Sequence, residues 1–116
     1  RYKSMLGNSY SSNGAGVRLI ADAVYTPQYN DDGIKVIDAS GHPSGMIVNL
    51  SAPGVSQVMG AEQVIVRIDN SHNAVIIDGN GKLINGALTR LLGSAQYSRM
   101  VLRYAGGSVG WLVVNE

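Results

Sequence analysis

Residues 61–116 decide the fold prediction, and they read AEQVIVRIDNSHNAVIIDGNGKLINGALTRLLGSAQYSRMVLRYAGGSVGWLVVNE. Four apolar segments in this stretch have the length and the β-branched content of strands. They are Val64–Ile68, Ala74–Ile77, Met100–Tyr104 and Trp111–Val114. The segments between them are rich in Asp, Asn and Gly, which are favoured in turns. This pattern predicts a β-meander that closes at the end of the sequence.

Several of these strands are apolar at positions that point to both faces of a sheet. An antiparallel strand with one face in water instead alternates apolar and polar side chains. The second face is therefore expected to be covered, either by a second sheet or by a partner subunit.

The first half of the chain carries the same signals. One strand run is predicted to begin at Val17–Ile20 and to continue towards Val24–Tyr25, until Pro27 ends it. Further strands are predicted at Ile34–Asp38 and Met46–Leu50. Between them, Tyr29 to Gly33 and Ala39 to Gly45 have turn compositions. The fold class predicted is all-β: an antiparallel β-sandwich or a barrel-like meander.

At most one or two short helical turns are expected. Pro53 and the spacing of Val55, Val58 and Met59 favour one turn within residues 51–63, with Gly60 able to end it. The same spacing recurs weakly in a second segment, at Leu88, Leu91 and Leu92.

The length of 116 residues fits one domain, expected over residues 17–116. Residues 1–16 are rich in Gly, Ser and Asn and are predicted to be an arm or linker. Charged residues make up 15% of the chain, against about a quarter in an average soluble domain. The surface is therefore expected either to be polar without charge or to be partly covered. No internal repeat of a solenoid period is evident in the sequence.

The composition argues against two classes of partner. The net charge is +1 and the nine basic residues are scattered, so a nucleic-acid partner is not expected. No apolar run approaches the ~20 residues that cross a bilayer, so membrane insertion is not expected either.

No motif predicts catalysis, a metal or a cofactor. His42 and His72 both lie in turn sequences, and two histidines do not make a three-histidine zinc site. The carboxylates at Asp31, Asp32 and Asp69 suit turns better than a cation site or a glycosidase pair. Gly79 and Gly81 are expected to be turn residues with positive φ. The chain is therefore predicted not to be an enzyme.

Two aromatic regions are candidate binding surfaces, because exposed Tyr and Trp rings can stack on sugars or on protein. Candidate glycan contacts are Tyr25, Tyr29, Asp31 and Asp32, although a half-buried Tyr25 beside a solvated loop is favoured. Candidate oligomer contacts are Trp111, Val113 and Tyr104, with a core position as the alternative for Trp111. For Tyr97, as for Tyr104, the sequence does not distinguish a core or oligomer contact from a ligand platform.

A set of short motifs resembles the small all-β domains of bacteriophage tail fibres, tailspikes and related virion appendages. The resemblance covers roughly residues 33–116 and rests on five successive segments. They are Gly33–Ser40, Met46–Leu50, Val64–Ser71, Val75–Gly81 with its turn Asp78-Gly79-Asn80-Gly81, and the closing strand Trp111-Leu112-Val113-Val114.

The resemblance implies a homotrimeric virion component of a tail fibre, spike or needle. Its further partners would be other tail proteins or, at a tip, a polysaccharide of the host surface. It carries over no catalytic residues, and threefold symmetry comes from the resemblance alone.

Two alternatives remain open. One is a fragment of a polysaccharide-degrading β-helix tailspike enzyme, in which Val75 to Gly86 would belong to one rung and rungs would repeat every ~20–30 residues. The other is a capsid decoration protein.

Overall fold

A computed structural model describes residues 16–27, 34–50 and 58–116. Over these ranges the chain forms nine strands and no helix, so the all-β prediction is confirmed. The strands are β1 (Val17–Ile20), β2 (Val24–Tyr25), β3 (Ile34–Ile37), β4 (Met46–Asn49), β5 (Glu62–Arg67), β6 (Val75–Asp78), β7 (Thr89–Leu91), β8 (Arg99–Tyr104) and β9 (Trp111–Asn115).

The strands belong to two mixed sheets. Sheet A has the order β9-β8-β5-β3-β1, and sheet B has the order β2-β4-β6-β7. Neither of these strand orders closes on itself, so a barrel is not formed by the described strands.

The first six strands alternate between the two sheets and pair in parallel. In sheet A, Val17 is in register with Ile34, and Ile34 with Val64. In sheet B, Val24 is in register with Ile47, and Ile47 with Ile76. The described part of the chain thus winds through three stacked rungs, each with one strand in each sheet.

The predicted antiparallel pairing is wrong for these six strands. Antiparallel pairs occur only towards the end of the chain, where β7 pairs with β6, β8 with β5 and β9 with β8. The physical reason is that parallel strands covered on both faces also read as continuous apolar runs. Strands that are apolar on both faces therefore indicate parallel stacking as readily as a covered meander.

The stacked rungs also form a repeat that the sequence analysis did not detect. Ile34 follows Val17 by 17 residues in sheet A, whereas Val64 follows Ile34 by 30. Because the connecting loops differ in length, the repeat has no fixed period in the sequence.

The inward side chains of both sheets share one core. Ile37, Ile65 and Met100 enter it from sheet A, and Val48 and Ile77 from sheet B. This shared core holds the two sheets together over the length of the rung stack.

After the third rung, the loop between β6 and β7 covers the edge of sheet A that is formed by β9. Asn85 and Gly86 take positive φ in a tight turn, and the Ala87 amide donates to Ile84 O. An Asn-Gly pair with both residues at positive φ is the type I′ turn that favours hairpins. The loop reaches β9, where the Trp111 amide donates to Leu83 O at 2.7 Å and the Val113 amide donates to Asn85 Oδ1 at 2.9 Å. Unpaired edge groups of β9 are thereby satisfied.

The two helical predictions have different outcomes. Residues 51–57, on which most of the first predicted turn falls, lie outside the described residues, and so does the predicted turn from Tyr29 to Gly33. The second is wrong, because Thr89–Leu91 forms strand β7. Residues 1–15 of the predicted arm also lie outside the described residues.

The turn after β6 confirms one glycine prediction and corrects the other. Gly81 has φ 99°, as predicted, but the second residue with positive φ is Asn80, at 53°, and not Gly79. Gly79 is required for a different reason: a Cβ atom there would lie 1.7 Å from Lys82 O. Asp78 stabilises the turn by accepting a hydrogen bond from the Asn80 amide at 2.7 Å.

We expect Gly79→Ala to lower the free energy of unfolding by more than about 2 kcal/mol, because the added methyl group displaces backbone. The measurement is urea unfolding followed by circular dichroism. Gly41→Ala is the matched control, since a Cβ atom there meets nothing within 4 Å. Equal stability of the two variants would contradict the close approach at Gly79.

Candidate functional site

The structure does not bring the candidate glycan contacts together. Tyr25 is half-buried and packs against the core, which matches the favoured alternative for this residue. Tyr29, Asp31 and Asp32 lie outside the described residues.

The candidate oligomer contacts lie in or beside the core of the single chain. Trp111 and Tyr104 are a cross-strand pair on β9 and β8, and their buried rings are 5.3 Å apart with planes at 60°. Such a tilted pair is a favourable aromatic contact. Trp111 therefore lies in the core, which was the alternative to an oligomer contact, and neither ring offers a broad exposed surface. Val113 is half-buried and packs on the same core.

A different surface carries the exposed apolar residues of sheet A. The outward side chains of its strands form an aliphatic layer, which we call the outer aliphatic face. It consists of Val17, Leu19, Ile34, Val36, Val64, Val66, Val101 and Leu112. Leu19 is 64% exposed, and the residues of the central strands are half-buried by their neighbours.

Strand register aligns this face in rows across the sheet. Val17, Ile34, Val64 and Val101 form one row. Leu19, Val36 and Val66 form the next, which ends at Arg99.

The outer aliphatic face has the composition and margin of an interaction surface. The whole outer side of sheet A, with five strands about 4.8 Å apart and about five residues of about 3.3 Å in each, covers roughly 400 Å². The aliphatic rows form one part of this area, and Glu62, Arg99 and Arg103 form another. One margin is polar, where Arg103 forms an ion pair with Glu62 at 3.0 Å. An apolar centre with a charged rim is typical of protein–protein interfaces.

Sheet A points polar side chains inward opposite this apolar exterior. Lys35, Gln63 and Arg67 are fully buried, while Val64 and Val66 on the same strand as Gln63 point outward. A register slip of one residue would exchange the two sets. The inner side of sheet A also buries the apolar side chains of Ile20, Ile37, Ile65, Met100 and Leu102. Their burial stabilises the observed register, and the outer aliphatic face is the apolar surface of this sheet that remains exposed.

The exterior of sheet B differs from that of sheet A. It carries one aliphatic row, formed by Val24, Ile47, Ile76 and Leu91, and beside it a polar row of Asn49, Asp78 and Thr89. This alternation is typical of a face in contact with water. Sheet A is thus the better candidate for a covered face.

The corner after β5 fixes the rungs relative to each other through Asp69. Its Oδ1 atom accepts a hydrogen bond from the Ala39 amide of the preceding rung at 2.9 Å. Its Oδ2 atom accepts from the Ser71 amide at 3.2 Å and from the Ser71 hydroxyl. The Arg67 Nε atom forms an ion pair with Asp69 Oδ1 at 3.3 Å.

Arg67 extends this corner to the loop before β8. Its guanidinium also donates to Gly93 O at 3.1 Å and to Asn73 O. A fully buried cation is stable only when its donors are satisfied in this way. The Asn73 side chain in turn donates to Ala39 O at 2.9 Å. Sequence analysis assigned Asp69 to a turn but missed the buried pair with Arg67.

The electrostatics of this corner suit structure better than proton transfer. Burial alone would raise the pKa of Asp69, but hydrogen bonds from Ala39 and Ser71 and the charge of Arg67 outweigh it and lower the pKa to about 2. The Ser40 hydroxyl and amide lower the pKa of Asp38. A general acid in glycoside hydrolysis needs a raised pKa instead.

Both histidines lie in turns, and each contacts a neighbouring loop. The His42 Nε2 atom contacts Ala21 O of the first rung, and the His72 Nδ1 atom contacts Ser94 O at 3.1 Å. Because a carbonyl only accepts, each of these ring nitrogens must carry its proton. Among the described residues, no group of three or more His, Cys, Asp or Glu could hold a metal ion.

No protein-family model matches this chain, and no curated protein matches it significantly. Within the described ranges, no helix is long and apolar enough to cross a membrane.

We expect Asp69→Asn to remove a pH-dependent part of the stability. Because the folded-state pKa is about 2 and the ordinary value is 3.8, ionised Asp69 stabilises the fold above pH 3.8. That stabilisation, about 2 kcal/mol, is lost as the pH falls through the folded-state pKa. Urea unfolding between pH 2 and pH 6 measures it.

Asp38→Asn is the control for this experiment, because the Asp38 carboxylate accepts hydrogen bonds from Ser40 of its own corner, whereas Asp69 also bonds the Ala39 amide of the preceding rung. We expect a smaller loss of stability for this variant. An Asp69→Asn variant that keeps the full pH dependence of the wild type would contradict the role of Asp69.

Proposed function

We propose that this chain is a non-enzymatic structural and adhesion module of a bacteriophage virion, forming a homotrimer in a tail fibre, spike or needle. The observation that carries the proposal is the outer aliphatic face of sheet A. Its apolar rows stand outside a sheet that buries Lys35, Gln63 and Arg67. Assembly through this face would remove the apolar rows from water.

The rung stack supports a structural role within this proposal. Two sheets over one core, wound in parallel rungs and closed by antiparallel strands, make a short capped solenoid in place of the antiparallel sandwich or barrel predicted. Neighbouring rungs of a solenoid stabilise each other along one axis, which suits an elongated appendage. The virion location and the threefold symmetry rest on the resemblance of residues 33–116 to phage appendage domains.

The β-helix enzyme alternative is favoured by one observation, the parallel stacking of the rungs. A fold, however, does not define an activity. Asp38 and Asp69 occupy successive corners, and hydrogen bonds lower the pKa of both carboxyl groups. Neither residue therefore has the properties of a general acid. Assembly therefore remains the proposed function.

We expect the protein to sediment as a trimer at micromolar concentration in analytical ultracentrifugation. Leu19→Lys should weaken the trimer at least about tenfold, because it places an unpaired charge in the covered face.

Leu91→Lys is the matched control. Leu91 is 63% exposed, against 64% for Leu19, and it also lies on an edge strand, but in sheet B. This variant should remain trimeric. A monomeric wild type, or equal weakening by both substitutions, would contradict assembly through the outer aliphatic face.

A further inference from the structure

The loop between β7 and β8 presents an aromatic ring at a position where a glycine is expected. The Ser98 amide donates to Ala95 O at 3.1 Å, which closes a β-turn with Tyr97 as its third residue. Tyr97 has φ 68°, while Gln96 is not among the residues with positive φ. This combination defines a type II turn, whose third position normally holds Gly or Asn.

The same chain provides a comparison. The Ala61 amide donates to Val58 O at 2.9 Å, and the third residue of that turn is Gly60, with φ 87°. The other non-glycine residues at positive φ are Asn80, Asn85 and His72, which belong to the types enriched there. Tyr97 is thus the one bulky aromatic residue in this conformation among the described residues.

Burial of the Tyr97 ring does not compensate for the strained backbone at this residue, because Tyr97 is 69% exposed. A bulky residue in the left-handed region costs about 1–3 kcal/mol and persists where the surroundings fix it, often at binding sites. The contribution of this ring to the fold is small, so its role is better sought outside the core.

The surroundings do fix the loop. Both its backbone and its side chains are bonded to the corner that follows β5. The bonds run from Tyr97 N to Arg67 O at 2.8 Å, from Gln96 Nε2 to Ile68 O at 3.0 Å, from Arg67 Nη1 to Gly93 O at 3.1 Å and from His72 Nδ1 to Ser94 O at 3.1 Å. A loop whose backbone is held in advance loses little entropy on binding.

We infer that Tyr97 is a stacking platform for a neutral carbohydrate. The loop Gly93–Ser98 contains no charged residue. The Ser94 hydroxyl and the Gln96 amide oxygen, in the same loop as Tyr97, are groups that bond hydroxyl groups. An exposed aromatic ring on a loop with a fixed backbone and neutral polar residues suits the apolar face and hydroxyl rim of a pyranose. This inference deepens the adhesion part of the proposed function, rests on it, and assigns it to a loop distinct from residues 25–32.

The test is saturation-transfer NMR of the full chain with the methyl glycosides of glucose, galactose, mannose and N-acetylglucosamine. At least one glycoside should receive saturation through its ring protons. Tyr97→Asn should weaken binding about tenfold, while Tyr97→Phe should retain it. Leu88→Asn, at a loop residue that is 71% exposed, is the control and should bind like the wild type.

Two further readouts separate binding from folding and from assembly. Because Asn suits the left-handed conformation, Tyr97→Asn should have a higher thermal midpoint than the wild type. Its sedimentation should also be unchanged. A lower midpoint, a dissociated oligomer, or no binding to any of the four glycosides would overturn the inference. Sugar binding through Tyr97 by a monomeric wild type would instead overturn the assembly proposal and leave this one standing.

Discussion

The in-register parallel pairing of β1, β3 and β5 is the constraint on which the rest of the structure depends. It places Ile20 and Ile37 on the inner side of sheet A and stacks Val17, Ile34 and Val64 on the outer side. Since side chains alternate across a strand, fixing one pair fixes the remaining pairs of these three strands. The aliphatic exterior and the burial of Lys35, Gln63 and Arg67 beside the apolar core are two consequences of the same register.

The buried polar side chains contribute to the stability of this register. The Lys35 ammonium bonds the Gln63 side chain, while Arg67 bonds Asp69 and Asn73 O at the corner after β5 and Gly93 O in the loop before β8. A buried charge without such partners would cost several kcal/mol. The Lys35–Gln63 bond joins neighbouring rungs, so it favours one alignment over its one-residue slips. The same corner holds the Tyr97 loop, which connects the stacking of rungs to the surface proposed for adhesion.

Sequence reasoning found the strands but not their partners. Six of the seven predicted strand segments lie within two residues of their predicted bounds, because turn residues and β-branched runs act locally. The seventh, predicted as one run from Val17 towards Tyr25, is divided between β1 and β2 in different sheets. Pairing is non-local, and the unequal loops between rungs removed the fixed period that would have revealed it. Two local signals were nevertheless available: Ile37-Asp38-Ala39-Ser40 recurs as Ile68-Asp69-Asn70-Ser71, and Asn85-Gly86 marks a hairpin turn beside the missed strand β7. The strain at Tyr97 has no signature in composition, since it depends on the backbone alone.

Cysteine cross-linking tests the parallel register most directly, because the chain contains no cysteine of its own. Val36 is in register with Val66, while Val64 lies two residues away on the same strand. A disulfide needs Cα atoms within about 7 Å, which neighbouring strands satisfy and a two-residue offset, at about 8 Å, does not. The account predicts that oxidation links the pair Val36→Cys and Val66→Cys, and leaves the pair Val36→Cys and Val64→Cys as free thiols. Efficient cross-linking of the second pair, or none in the first, would contradict the stacked rungs.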